Sequence, residues 1–158
     1  MLNSRGEHAA RVHQAAWAGA TPAYAADADG QKIFLTRCSS CHQANGQGVT
    51  GTFPPLAGNE FVSGDKGGVI RVLLNGLMGE VDVKGVTYSG VMPPWGTALK
   101  DDEIAAVLTY VRSSFGNKGS AVTTEDVAKV REATKDRKQP WTAEELADKA
   151  NQGVPGTK

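Results

Sequence analysis

Five residues narrow what this chain can be more than any other feature: Cys38-Ser39-Ser40-Cys41-His42. The chain has only two cysteines, and one of its three histidines directly follows the second of them. By composition a histidine would fall there about two times in a hundred. A disulfide at this spacing closes too short a loop to stabilise much. A tetrahedral zinc site needs further Cys or His ligands at matched spacing, and none follows. A thioredoxin-type pair belongs after a strand in a βαβ unit, which the surrounding sequence does not form. C-x-x-C-H is, by contrast, the attachment pattern of a c-type haem. Two thiols on one helical turn can add to the vinyl groups on one side of the porphyrin, and the next imidazole can meet the iron. Cys38 and Cys41 are therefore expected to bind one haem covalently, with His42 as its proximal ligand. The other ring nitrogen of His42 then needs an acceptor to fix the tautomer.

The surrounding sequence reads as short helices separated by glycine- and proline-rich loop. Residues 29–37 form a helix leading into the cysteines, with Asp27 or Asp29 as N-cap and Ile33, Phe34 and Arg37 at helical spacing. Residues 43–58 are loop. Within them Gly46-Gln47-Gly48-Val49-Thr50-Gly51 matches G-x-G-x-x-G, but a dinucleotide site would need a strand before it and a helix opening after it. Val69 to Gly76 predicts two helical turns, and Glu80 to Tyr88 a hairpin about Lys84-Gly85. Asp101 to Phe115 is the strongest helix, acidic at its start, with Ile104, Val107, Leu108 and Val111 on one stripe. Beyond Asn117 the spacing predicts a helix from Thr123 to about Lys135 and a break at Pro140-Trp141. A capping box, Thr142-Ala143-Glu144-Glu145, then opens a last helix to about Ala150. Gly153 to Gly156 should fray. The expected organisation is an N-terminal extension 1–28, a domain 29–117 and a helical C-terminal extension 118–158. Narrow apolar stripes cannot make a separate core, so the extension should lie either on a partner subunit or, the reading favoured, back along its own domain, where it extends the partner-facing surface.

Lys+Arg and Asp+Glu are equal at 17 each, so nothing favours nucleic acid or an anionic membrane surface. The alanine-rich stretch from Ala15 to Ala26 is interrupted by Gly19, Thr21 and Pro22 and cannot span a bilayer. Ala23-Tyr24-Ala25-Ala26 has the look of a signal-cleavage site, yet Arg11, His13 and Gln14 stand where an apolar stretch should precede it. Residues 1–28 are read as a mature extension, or as the stub left after an upstream anchor or signal.

A sixth iron ligand must come from elsewhere in the chain. Met92 lies in Gly90-Val91-Met92-Pro93-Pro94-Trp95, where two prolines stiffen a loop without regular hydrogen bonding. Met78, between Gly76 and Gly79, is expected to make a buried contact instead. His8 and His13 precede the haem segment and should face solvent.

The order of these signals resembles a class I cytochrome c over residues 27–117: a short helix, C-x-x-C-H, a proline loop, a Met-Pro loop and a final helix. The resemblance implies that Gly30 and Phe34 pack against Val107 and Tyr110. It implies that Pro54, in Pro54-Pro55-Leu56, offers its carbonyl to His42, and that Met92 is the sixth ligand with Trp95 supporting it. The hairpin and the Tyr88-to-Trp95 segment are similar to haem-c domains of bacterial respiratory complexes and periplasmic dehydrogenases. The fold implied is mostly α, with a small hairpin before the Met loop. The function implied is a one-electron carrier with a single haem c and no catalysis of its own, working outside the cytoplasm with a redox protein or membrane respiratory complex. Two rivals stand beside it: an open, ligand-sensing haem, and a relay subunit whose main role is docking.

Overall fold

The computed structural model describes residues 29–157; His8, His13 and Asp27 lie outside them. Residues 29–42 form one helix, α1, which widens into a π turn over Phe34–Cys38 before Ser39–His42. Asp29 is already helical, so it is not the N-cap. Gln43, at φ 62°, ends the helix. The loop that follows is closed by a two-residue bridge between Val49 and Phe53. No strand precedes its glycines, and no helix opens at them.

Asn59 then caps a one-turn helix, α2 (Glu60–Ser63), its side-chain oxygen accepting from the Phe61 and Val62 amides. Asp65 caps α3 (Lys66–Asn75) through the amides of Gly67 and Gly68. This helix begins one residue triplet earlier than the sequence predicts. Gly67 and Gly68 read as breakers, but here they are contact surfaces: a Cβ on Gly67 would stand 2.1 Å from the Gly153 carbonyl oxygen.

The hairpin is also longer than predicted. Strand β1 (Leu77–Val83) pairs antiparallel with β2 (Val86–Met92), from Leu77 opposite Met92 to Val83 opposite Val86. Lys84 and Gly85 both take positive φ, the two-residue turn whose twist suits a hairpin. Met92 therefore ends a paired strand and does not sit on an unpaired loop. Met78 is 39 % exposed, contrary to the buried contact expected of it. The long helix α4 spans Asp101–Ser113, with the Glu103 carboxylate accepting from the Lys100 amide. It crosses α1 where Gly30 admits the Ala106 carbonyl, and Phe34, Tyr110 and Phe115 form a cluster with ring centroids 5.2–5.7 Å apart.

The segment beyond Asn117 joins this same core. Helix α5 (Thr124–Ala133) buries Val127 and Val130 completely, and Val122 and Val154 lie in the same cluster as Phe34, Ile70 and Ile104. Lys66 pairs with Asp126 at 2.7 Å, tying the start of α3 to the start of α5. Arg131 holds Asp101 and the carbonyls of Gly96 and Leu99. Helix α6 (Ala143–Ala147) stops short of Ala150 and passes into a single 3-10 turn, Lys149–Asn151. The end expected to fray is held. Val154 is 4 % exposed, Arg71 donates to the Gly153 carbonyl at 2.8 Å, and the Gly153 amide donates to Asp65.

Candidate functional site

Helix α1 delivers the three residues of the motif to one place. Its π turn ends at Cys38, and one further turn carries Cys41 and His42. π turns inside helices recur at functional sites because the extra residue re-aims the side chains that follow. Cys38, Cys41 and His42 all line a cavity of about 970 Å³, at the upper end of the range for ligand pockets. Both cysteine side chains are half-buried. Burial, and then the neighbouring Cys41, push the Cys38 thiol up to about 11.

His42 is 9 % exposed, and its Nδ1 lies 2.9 Å from the Pro54 carbonyl oxygen. Burial lowers its pKa, more than the Pro54 hydrogen bond raises it, which favours the neutral ring. With the proton on Nδ1 and donated to Pro54, the lone pair is on Nε2, the form a metal binds. The loop that carries Pro54 is itself held, at the two residues that follow it, by a buried amide pair that no local sequence signal announces. Asn59 donates to the Pro55 carbonyl and Asn117 to that of Leu56, both at 2.9 Å, while the Asn59 amide donates to Asn117 Oδ1. Asn59 is readable as a helix cap, but its pairing 58 residues away is not.

The hairpin supplies another wall. Leu77, Val81 and Val83 line the cavity from the odd-numbered face of β1, joined near the hairpin tip by Asp82 and Lys84. Residues directly opposite in an antiparallel pair share a face. Met92, opposite Leu77, is half-buried and lines the cavity; Met78, opposite Val91, is on the outward face with Val91 at 69 % exposure. Pro93 and Trp95 also line it, and the Trp95 amide donates to the Leu73 carbonyl at 2.8 Å. The hairpin tip is pinned over the proline loop by Lys84, whose Nζ donates to the Ala57 carbonyl at 2.8 Å.

Two further contributors escape sequence reasoning. Arg112, only 1 % exposed, reaches the cavity wall from α4 and spends its donors on the carbonyls of Val62, Gly64 and Ser120. Burial lowers its pKa against the opposing charge of Asp65. Ala143, Leu146, Ala147 and Gln152 bring the C-terminal segment to the cavity as well.

Two thiols three positions apart, a buried imidazole with one nitrogen committed to a carbonyl, and a thioether share one apolar chamber. That donor set fits a porphyrin attached by thioether bonds, with nitrogen and sulfur available to its iron. Among the described residues no cluster of three or more His, Cys, Asp or Glu side chains could hold a separate metal ion. No helix there is long and apolar enough to cross a membrane.

Comparison with known proteins leads to the same chemistry. Residues 28–115 match the Cytochrome c family. The chain is 47 % identical over 115 residues to cytochrome c-552 of Thermus thermophilus, covering 67 % of this chain and 76 % of that protein. It is 34 % identical over 110 residues to the cytochrome c subunit of the quinone alcohol dehydrogenase of Gluconacetobacter polyoxogenes, covering 68 % of this chain but 23 % of that subunit. A third relative is the CcoP subunit of the cbb3-type cytochrome c oxidase of Azospirillum brasilense, 30 % identical over 100 residues, or 60 % of this chain and 30 % of that one. The chain belongs to the cytochrome c family, and is an electron-transfer protein that carries covalently bound haem c.

Proposed function

We propose that this protein is a class I cytochrome c with one haem, joined to Cys38 and Cys41 and ligated by His42 and Met92, shuttling single electrons outside the cytoplasm. The bound group supplies the one-electron chemistry of its iron. The chain's own residues do the rest. Pro54 fixes the His42 tautomer and ring orientation by accepting from Nδ1. The apolar walls keep water from the iron, and the paired strand end holds the thioether where a free loop would let it swing. A thioether withholds charge from ferric iron relative to a second imidazole, so the potential should be positive.

The observation that carries the Met92 assignment is the hairpin register, which puts Met92 on the cavity face with Leu77 and Met78 on the opposite one. Replacing Met92 with Ala should abolish the weak red-region sulfur–iron band of the ferric protein and open the ferrous iron to carbon monoxide. Met78→Ala should change neither. Loss of the band in Met78→Ala would move the ligand to the other strand.

The encounter surface follows from charge balance. Residues 29–116 hold seven basic and eight acidic side chains, so no single-sign patch is forced. Pro93 and Trp95 line the cavity, and exposed Val91 and Pro94 flank them on the outer surface, together an apolar patch suited to a brief contact with a redox partner. The named relatives include subunits of a dehydrogenase and of an oxidase. A partner of that kind, a periplasmic dehydrogenase or membrane respiratory complex, is the one this reading assigns.

A further inference from the structure

Met92 touches two groups of side chains. One is the main core. The other is a smaller cluster of Val72, Trp141 and Leu146, against which Leu77 and Met92 pack. Two of these three buried residues lie beyond residue 140, well past the end of the family match at residue 115.

The attachment of this segment is direct. The Met78 amide donates to the Trp141 carbonyl at 2.8 Å, and the Trp141 amide donates to the Gly76 carbonyl at 3.0 Å. Trp141 thereby adds one parallel bridge to the edge of β1 at Leu77, the residue opposite Met92. Its indole Nε1 donates to Asn75, and the Arg137 guanidinium stacks 3.5 Å above its ring while gripping Glu145 at 2.6 Å. Cation, ring and carboxylate together fix the turn into α6. From that anchored point Ala143, Leu146 and Ala147, at positions i, i+3 and i+4, present one helix face to the cavity.

We infer that the chain after residue 140 is the outer wall of the Met92 site, and that Trp141 and Leu146 are positioning residues for the thioether. They brace the end of β1 that pairs with Met92 and close the space its side chain would swing into. This rests on Met92 being the sixth ligand. The strength of the sulfur–iron bond is then set in part by residues some fifty positions further along the chain.

The test is displacement of the sulfur by added imidazole in the ferric, haem-loaded full chain, read at the red-region band, alongside thermal melting. Leu146→Ala should bind imidazole about tenfold more tightly than the parent protein, a coupling of ordinary size for side chains in contact. Leu146→Met, which refills the volume, should restore the parent affinity. Val127→Ala is the control: it opens the core in the same segment but does not line the cavity, so it should lower the melting temperature and leave imidazole affinity unchanged. If Leu146→Ala does not load with haem, Leu146→Val reads the same equilibrium with a smaller shift. Equal imidazole affinity in the parent, the Leu146 variants and Val127→Ala would overturn the inference while leaving Met92 in place. If Met92→Ala also binds imidazole like the parent, the ligand assignment falls, and this inference with it.

Discussion

Asp126 does two jobs with one carboxylate. It closes the capping box of α5 by accepting from the Thr123 amide, and it pairs with Lys66 on α3. Burial pushes its pKa up, but the hydrogen bonds from Lys66 and Thr123 and the Lys66 charge outweigh that and leave it below the usual carboxylate value. A carboxyl more acidic when folded stabilises the fold fully above its unfolded pKa, near 4, and loses that contribution as pH falls through the folded value. Asp126→Asn should therefore cost about 1–2 kcal/mol at neutral pH, the sum of a weakened capping box and the loss of an ion pair whose carboxylate is buried. Melts at pH 7 and pH 3 should show the gap to the parent protein narrowing in acid; a gap independent of pH would remove the ionised pair from the account. At this scale the meeting of Cys38, Cys41 and His42 on one cavity was legible because the three lie within five residues, and their types and spacing point to the chemistry proposed for them. Asn59 with Asn117 was not, because a buried amide pair is created by tertiary approach and leaves no periodic trace.

Glycine decides how two pairs of elements meet, and the sequence showed only one of them. At the crossing of α1 and α4, a Cβ on Gly30 would lie 2.2 Å from the Ala106 carbonyl oxygen and 2.7 Å from its carbon, both backbone atoms. Gly30→Ala should destabilise the protein by about 1–3 kcal/mol through forced separation of the helices, visible as a lower melting temperature. Gly90, with open space around its Cβ position and no positive φ, is the comparison: Gly90→Ala should stay within about 0.5 kcal/mol. Equal melts for the two variants would mean that the crossing is looser than described. At the second meeting point, Gly67 against Gly153, local reasoning fails. Two adjacent glycines lower helix propensity and argue for a loop, yet the Asp65 cap and the approaching Gly153 carbonyl hold them in α3. The hairpin turn was legible from Lys84-Gly85. Its outer ends were not, because Leu77 gains its pairing partly from Trp141, across sixty-odd residues of chain.

At the scale of the whole molecule, the C-terminal segment is interior structure as much as covering. Expecting it to fold back was sound, but its narrow stripes underestimated how much it buries. Val122, Val127, Val130 and Val154 share the core of α1, α3 and α4, and Trp141 and Leu146 share that of the hairpin. Each such side chain contributes about 1.5–3 kcal/mol when buried. Ending the chain at Asn117 should lower the melting temperature of the haem-loaded protein by at least about 10 °C; an unchanged melt would show that the segment merely rests on the surface. The proposed cargo of this fold is one haem c with His42 and Met92 on its iron, passing one electron at a time. Its most direct test is a potentiometric titration of the purified haem-loaded protein, followed at the visible haem bands and at the red-region sulfur–iron band. A single reversible one-electron wave at positive potential is expected, with the red-region band present in the oxidised form and lost on reduction. A negative midpoint with no such band, or more than one wave from a single chain, would contradict it.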